Sequence, residues 1–289
     1  MQNSITIQHA GFYTTIQDKG RSGFAHLGVP ESGTMDKKAL QLANALINNL
    51  DDTAVIEYTL VGPTIHFNCD RHFVITGGIT DANLDTQKLK NNKVYLARKG
   101  QLLKLSRVIE GCRGYLSVAG GILSKSVLDS RSMYVPITQD DILKNGMTLP
   151  IGTSTYGSTK GARIKIDTIT EATAYFTKQE LSVFKGPEYH LLESIQQEHF
   201  KEATYTISKL WNRMAVQLEE IIIHTIPSIQ TGAVLPGTVQ LTPAGRIIIL
   251  MRDCQTTGGY PRIFQLSEKA INLLAQKKQG DSVSFLLTD

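Results

Sequence analysis

Short apolar or alternating runs recur along the 289-residue chain, and most are closed by Gly, Asn, Asp or Pro. This punctuation constrains the fold more than any other feature. A run of four to eight residues between turn formers suits a strand, and it is too short for a long helix or a membrane span. Strands are expected at Ser4–Gln8, Ala54–Leu60, Thr64–Phe67, His72–Thr76, Val94–Ala97, Leu102–Leu105, Tyr115–Val118, Arg163–Ile166, Ala203–Ile207, Gly237–Leu241, Arg246–Met251 and Ser282–Leu287. Helical periodicity is confined to a few places. From Asp36 to Asn48, Ala39, Leu42, Ala43, Leu46 and Ile47 share one face, with Thr34 or Asp36 to cap it. A second helix is predicted from about Glu268 to Lys277 behind Ser267, and a third between Tyr189 and Phe200. The expected fold is therefore mainly β, with two barrel-like domains and a few covering helices. The Gly/Ser/Thr-rich stretch from Ile151 to Ala162 is the natural boundary, giving domains 1–155 and 156–289.

Composition narrows the function classes. Hydrophobic residues at 41% and charged residues at 19% support a packed core, and a net charge of +4 lacks the basic stripe of a nucleic-acid binder. The densest basic stretch, Lys88 to Lys104, is interrupted by Asn91, Asn92 and Gly100 and is read as a solvated hairpin surface, with an anionic partner as the alternative. The start, MQNSITIQHAGF, does not resemble a secretory leader. With Cys69, Cys112 and Cys254 widely spaced, reduced thiols in the cytoplasm are expected, without membrane association. There is no CxxC, HExxH, P-loop or GxSxG pattern, so no metal site is expected.

Three segments concentrate polar groups. Gln17, Asp18 and Arg21 fall within five positions around Gly20, followed by Ser32 to Asp36 at the start of a helix whose free N–H groups can take an anion. The competing reading makes Asp18 and Arg21 a turn-stabilising pair and Asp36 a plain cap. Asp253, Gln255, Thr256, Thr257 and Tyr260 follow an apolar strand, and Gln240 lies near them if the strands form a hairpin around Pro243-Ala244-Gly245. These groups equally suit a structural turn. The third segment, Tyr115 to Ile122 with Gly120-Gly121, leads to Arg131 between two serines.

Together the motifs TTIQDKGRSG (14–23), GVPESGTMD (28–36), LAN (42–44), AVIEYTLVGPTIHF (54–67), YLSVAGGI (115–122), SRS (130–132), NRM (212–214), DCQTTGGYPRI (253–263) and LLAQKKQGDSVSF (273–285) span nearly the whole chain. They resemble the family that groups the C subunit of bacterial 5-oxoprolinase, the Bacillus KipA protein and the carboxyltransferase region of urea carboxylase, also labelled allophanate hydrolase subunit 2. The resemblance implies two cyclophilin-like β-barrels. It also implies one member of an ATP-dependent complex that hydrolyses 5-oxo-L-proline to L-glutamate. The partners it implies are proteins like the A and B (KipI-like) members of that 5-oxoprolinase, with ATP held on an unspecified chain of the three. Two alternatives come with it. One is carboxyl transfer to urea or a related amide, with biotin carried on another chain. The other is a KipA-like regulator that binds a kinase-inhibitor partner.

Carried over residue by residue, the family motifs make Asp18, Asp253 and Gln255 the expected catalytic groups. Gln17, Arg21, Ser32, Asp36, Arg131, Gln240, Thr256, Thr257 and Tyr260 are the expected substrate-binding groups, and the early and late clusters are expected to meet in one cleft. The chain departs from the family pattern at Asp129, where Gly is usual, through Met133 to Thr148, and at Ala215 and Gln217.

Overall fold

The computed structural model describes residues 3–154, 156 and 175–288. Two compact units emerge, Met1–Arg21 with Ser32–Phe176, and Ser22–Glu31 with Thr177–Asp289. The strand predicted at Arg163–Ile166 and most of the expected boundary lie outside the described residues.

The first unit is a nine-stranded half-barrel sheet. Its strands are β1 (Ser4–His9), β2 (Tyr13–Gln17), β3 (Val55–Thr59), β4 (Thr64–Phe67), β5 (Arg71–Leu84), β6 (Gln87–Lys88), β7 (Val94–Ala97), β8 (Leu102–Val118) and β9 (Thr148–Pro150). The main path runs β2-β3-β8-β4-β1-β9, and β5 pairs with β6, β7 and β8. The runs expected at Leu102–Leu105 and Tyr115–Val118 are two ends of one strand, because the intervening residues pair with β5 through several register shifts. Alternate residues such as Ile5, Ile7, Ile56, Phe67, Phe73 and Leu103 point into one core.

Helix α1 (Lys37–Leu46) packs Ala39, Leu40 and Ala43 against the sheet residues Val55, Val74 and Tyr115. Asp36 caps it, accepting from the Ala39 amide at 3.1 Å. The segment after Arg131 covers the free edge of β2: Met133 N–H donates to Ile16 and Leu143 N–H to Thr14. The basic stretch is surface, with Lys88 paired to Asp81 and Arg98 to Asp70 at 2.7 Å.

The second unit closes into a seven-stranded barrel in the order β10-β17-β14-β15-β12-β11-β18. The strands are β10 (Glu180–Lys185), β11 (Thr204–Trp211), β12 (Ala215–Ile221), β14 (Thr238–Leu241), β15 (Arg246–Leu250), β17 (Arg262–Leu266) and β18 (Ser282–Leu287), with a separate pair β13 (Gly232–Ala233) and β16 (Thr257–Gly258). Closure joins β10 to β18 in parallel and removes both sheet edges. Helix α2 (Ser194–Glu202) inserts Phe200 against Tyr205, Phe264 and Phe285. Helix α3 (Glu268–Leu274) starts at the Ser267 cap, as its sequence predicts. Among the described residues, no helix is long and apolar enough to cross a membrane.

One pair gives the barrel a pH signature. Glu188 accepts from Arg262 Nε at 2.9 Å and Nη2 at 2.8 Å, and this bonding holds its carboxyl below the usual glutamate range. A carboxyl depressed by folding contributes stability above its unfolded value, and that stability is lost as pH falls through the folded value. The gap in urea midpoint between wild type and Glu188→Gln is therefore expected at pH 7, narrows once pH falls below the ordinary glutamate range of about 4.3, and closes below the lowered folded value. A gap that persists unchanged at pH 3 would contradict the assignment.

Candidate functional site

In the first unit the polar groups are organised by Asp18. It follows β2 and turns through Gly20, which sits at φ +93°. Asp18 Oδ1 accepts from Gly20 N–H at 2.8 Å, Ser130 Oγ–H at 2.6 Å and Ser132 Oγ–H at 2.7 Å, and Oδ2 accepts from Arg131 N–H at 2.6 Å. The Asp18 amide donates back to Ser132 Oγ at 3.1 Å. Four donors thus converge on one buried carboxylate. In this arrangement Asp18 fixes the loop that carries Arg131.

Arg21 is 2% exposed and donates to the Ser132 carbonyl, so it clamps the same loop from the other side. Arg131 is half-buried, and its side chain donates to the Ser124 carbonyl. Asp18, Lys19, Asp52, Gly120, Gly121, Asp129 and Arg131 are among the residues lining a cleft of about 300 Å3. Sequence reasoning assigned Asp18 and Arg131 to the site but not Lys19, Asp52 or Asp129. Asp129 showed only as a departure from the family pattern.

The stretch Ser32 to Asp36 runs beside the Asp18 turn, with Thr34 N–H donating to the Asp18 carbonyl at 2.9 Å. Gly33 has φ +85°, and a Cβ there would stand 2.8 Å from the Lys19–Gly20 backbone, so only glycine fits. Several amides around the helix start are already taken. The Ala39 amide is taken by the Asp36 carboxylate and the Met35 amide by Glu57 Oε2 at 2.8 Å. Asp36 is thus a buried cap, and it also accepts from the Tyr175 hydroxyl. Its amide donates to Tyr115 Oη. Burial, with Glu57 and Asp36 nearby, pushes the Tyr115 phenol well up, so it stays protonated at any ordinary pH. Gln17 Oε1, Ser32 Oγ and Thr34 Oγ1 are buried and have no hydrogen-bond partner among the described residues.

In the second unit the hairpin of β14 and β15 forms as expected, with Gly245 at φ +74° in its turn. It brings Gln240 against the late loop, since a Cβ on Gly258 would meet Gln240 Nε2 at 2.6 Å. Gln240 is 2% exposed, and its Nε2 has no acceptor among the described residues. Thr257 pairs with Ala233, the Thr256 carbonyl accepts from Val234 N–H at 3.1 Å, and Tyr260 is 40% exposed. Gln255 is half-buried, with Oε1 likewise without a partner among the described residues.

Asp253 makes a two-point pair with Arg213, at 2.7 Å to Nε and 3.0 Å to Nη2. Both side chains are buried, so the pair anchors the start of the late loop. Arg213 was visible in the sequence only as part of the NRM motif. Burial, with Asp253 and Glu31 adding to it, pushes the neighbouring Cys254 thiol up to about 12. Iodoacetamide at pH 7.5 should therefore modify half-buried Cys69 well before Cys254 in the folded protein, as read by mass spectrometry. Rapid labelling of Cys254 would contradict this environment. Among the described residues, no three His, Cys, Asp or Glu side chains are grouped to hold a metal ion.

The family model described as carboxyltransferase domain, subdomain A and B, matches residues 27–287. The chain is 34% identical over 288 residues to the C subunit of 5-oxoprolinase from Escherichia coli, covering 98% of this chain and 90% of that protein. It is 39% identical over 132 residues to urea amidolyase of Saccharomyces cerevisiae, which is 45% of this chain and 7% of that protein. Among solved structures, the urea amidolyase of Kluyveromyces lactis superposes with a TM-score of 0.87 at 22% identity, over 100% of this chain and 19% of that one. The crystal structure of TTHA0988 superposes with a TM-score of 0.86 at 22% identity, and this chain spans about half of it, 55%. At these identities the structural likeness speaks for the fold alone.

Proposed function

We propose that this chain, which belongs to the carboxyltransferase subdomain A and B family, serves as the C subunit of a cytoplasmic, ATP-dependent 5-oxoprolinase that opens 5-oxo-L-proline to L-glutamate. The observation that carries this reading is its near end-to-end kinship with the corresponding Escherichia coli protein. The chemistry asks for polar groups that hold a carboxylate and meet an amide carbonyl as negative charge develops on it. Arg131 is suited to the carboxylate by its planar donors. In the second unit, taken by itself, Gln240 Nε2 is a buried donor without an acceptor among the described residues and is suited to a carbonyl oxygen, and the Gln255 side-chain NH2 is a second donor of that unit. Asp18 and Asp253 keep these groups in place.

The first-unit cleft does not fit ATP. Asp18, Asp52 and Asp129 oppose only Lys19 and Arg131 there, and Lys19 is already paired with Asp52 at 3.3 Å. A polyphosphate would face net negative charge.

The deciding experiment is co-expression with A-like and B-like partners and an assay for ATP-dependent release of glutamate from 5-oxoproline. Turnover that needs this chain supports the reading. Tight binding to the B-like partner without turnover replaces it with a KipA-like regulatory role. The urea amidolyase match favours a second reading, carboxyl transfer to urea from biotin on another chain, and urea-dependent decarboxylation of a carboxybiotinyl carrier would establish it instead.

A further inference from the structure

Most charges lining the first-unit cleft are already satisfied. Lys19 and Asp52 pair with each other, and Asp18 is saturated by its four donors. Two remain. The Arg131 guanidinium donates to the Ser124 carbonyl and forms no ion pair with a carboxylate among the described residues. Asp129 is exposed and has no hydrogen bond or ion pair among the described residues.

A single turn presents both. Val127 N–H donates to the Ser130 carbonyl at 2.8 Å and Ser130 N–H to the Val127 carbonyl at 3.3 Å, while Leu128 and Asp129 between them have φ +53° and +59°. Two left-handed residues between reciprocal bonds make a type I′ hairpin turn. A leucine adopts that backbone only under strain, and such strain persists where the surroundings impose it. Here the imposing group is Asp18, which grips Ser130, Arg131 and Ser132 immediately after the turn. The result is one fixed positive and one fixed negative group on a small cleft.

We propose that this cleft binds a zwitterionic α-amino acid, with its carboxylate on Arg131 and its ammonium on Asp129. The volume of about 300 Å3 lies at the small end of ligand sites. On the 5-oxoprolinase reading, the amino acid is the product L-glutamate. The cleft then separates product from substrate, because both carry the α-carboxylate but the lactam nitrogen of 5-oxo-L-proline bears no charge. The identity of the amino acid rests on that reading, whereas recognition by two opposite charges does not.

The test is calorimetric titration of the full chain with L-glutamate, a panel of other amino acids and 5-oxo-L-proline, for wild type, Asp129→Gly and Arg131→Gln. Glycine suits the left-handed backbone at 129, so Asp129→Gly should unfold at the same temperature or higher. Losing one charged hydrogen bond should weaken L-glutamate by about 10- to 100-fold and leave 5-oxo-L-proline unchanged. Arg131→Gln should weaken both. Unchanged L-glutamate affinity in a folded Asp129→Gly protein overturns the proposal, as does the absence of saturable binding by any amino acid. Turnover of 5-oxoproline by the complex alongside that absence would leave the oxoprolinase reading standing and sink only the amino-acid site. Asp129-dependent binding of a different amino acid, with no oxoprolinase turnover, would keep the site and remove the reading.

Discussion

Asp18→Ala should destabilise the first unit by about 3 kcal/mol or more, because it strands buried donors that now share one carboxylate. The donors are the amides of Gly20 and Arg131 and the hydroxyls of Ser130 and Ser132. Asp18→Asn should cost less, since one oxygen remains, but its NH2 group would face another donor, the Arg131 amide. Urea unfolding of both variants measures the effect. Activity of the assembled complex should fall with the loosened Arg131 loop, and the fall should be as large in Asp18→Ala as in Arg131→Gln. Wild-type stability in Asp18→Ala would remove the positioning role from this carboxylate.

Asp253→Ala should be at least as damaging, at about 3–5 kcal/mol, because it takes the two-point Asp253 carboxylate from a buried guanidinium. Both residues are under 10% exposed, Arg213 at 4% and Asp253 at 8%. A double-mutant cycle distinguishes the worth of the pair from the penalty of breaking it. Arg213→Met with Asp253→Leu should recover much of the loss, since apolar replacements of similar volume avoid an uncompensated buried charge. If the double variant is as unstable as the sum of the two single ones, the pair is not the unit that holds the 253–260 loop. The same variants bear on function: a loop held by this pair should lose Gln255-dependent activity even when the protein remains folded.

Local periodicity was enough for much of the fold. The α1 stripe, the Ser267 cap, and the strands Thr64–Phe67, Val94–Ala97 and Ser282–Leu287 all stand where their residue pattern puts them. Each depends on neighbours a few positions away. Strand β2 was not legible as a strand. Thr14, Thr15, Ile16 and Gln17 are all buried, so the alternation that marks a half-exposed strand is missing. That burial comes partly from residues 133–143, more than a hundred positions away, lying along its edge.

The site divides along the same line. Residue order alone establishes which groups are polar, where glycines permit turns, and which family the motifs resemble. What each charge faces is set by the folded chain. Asp18 and Asp253 look equally free in a string of letters, but Asp18 reaches Ser130 and Ser132 across 112 and 114 positions, and Asp253 reaches Arg213 across 40. Asp129, an apparent irregularity in the sequence, is left as the cleft carboxylate without a hydrogen bond or ion pair among the described residues. Hydrogen bonding and desolvation act through space, so a carboxylate's role depends on donors that chain closure brings to it and not on its neighbours in sequence.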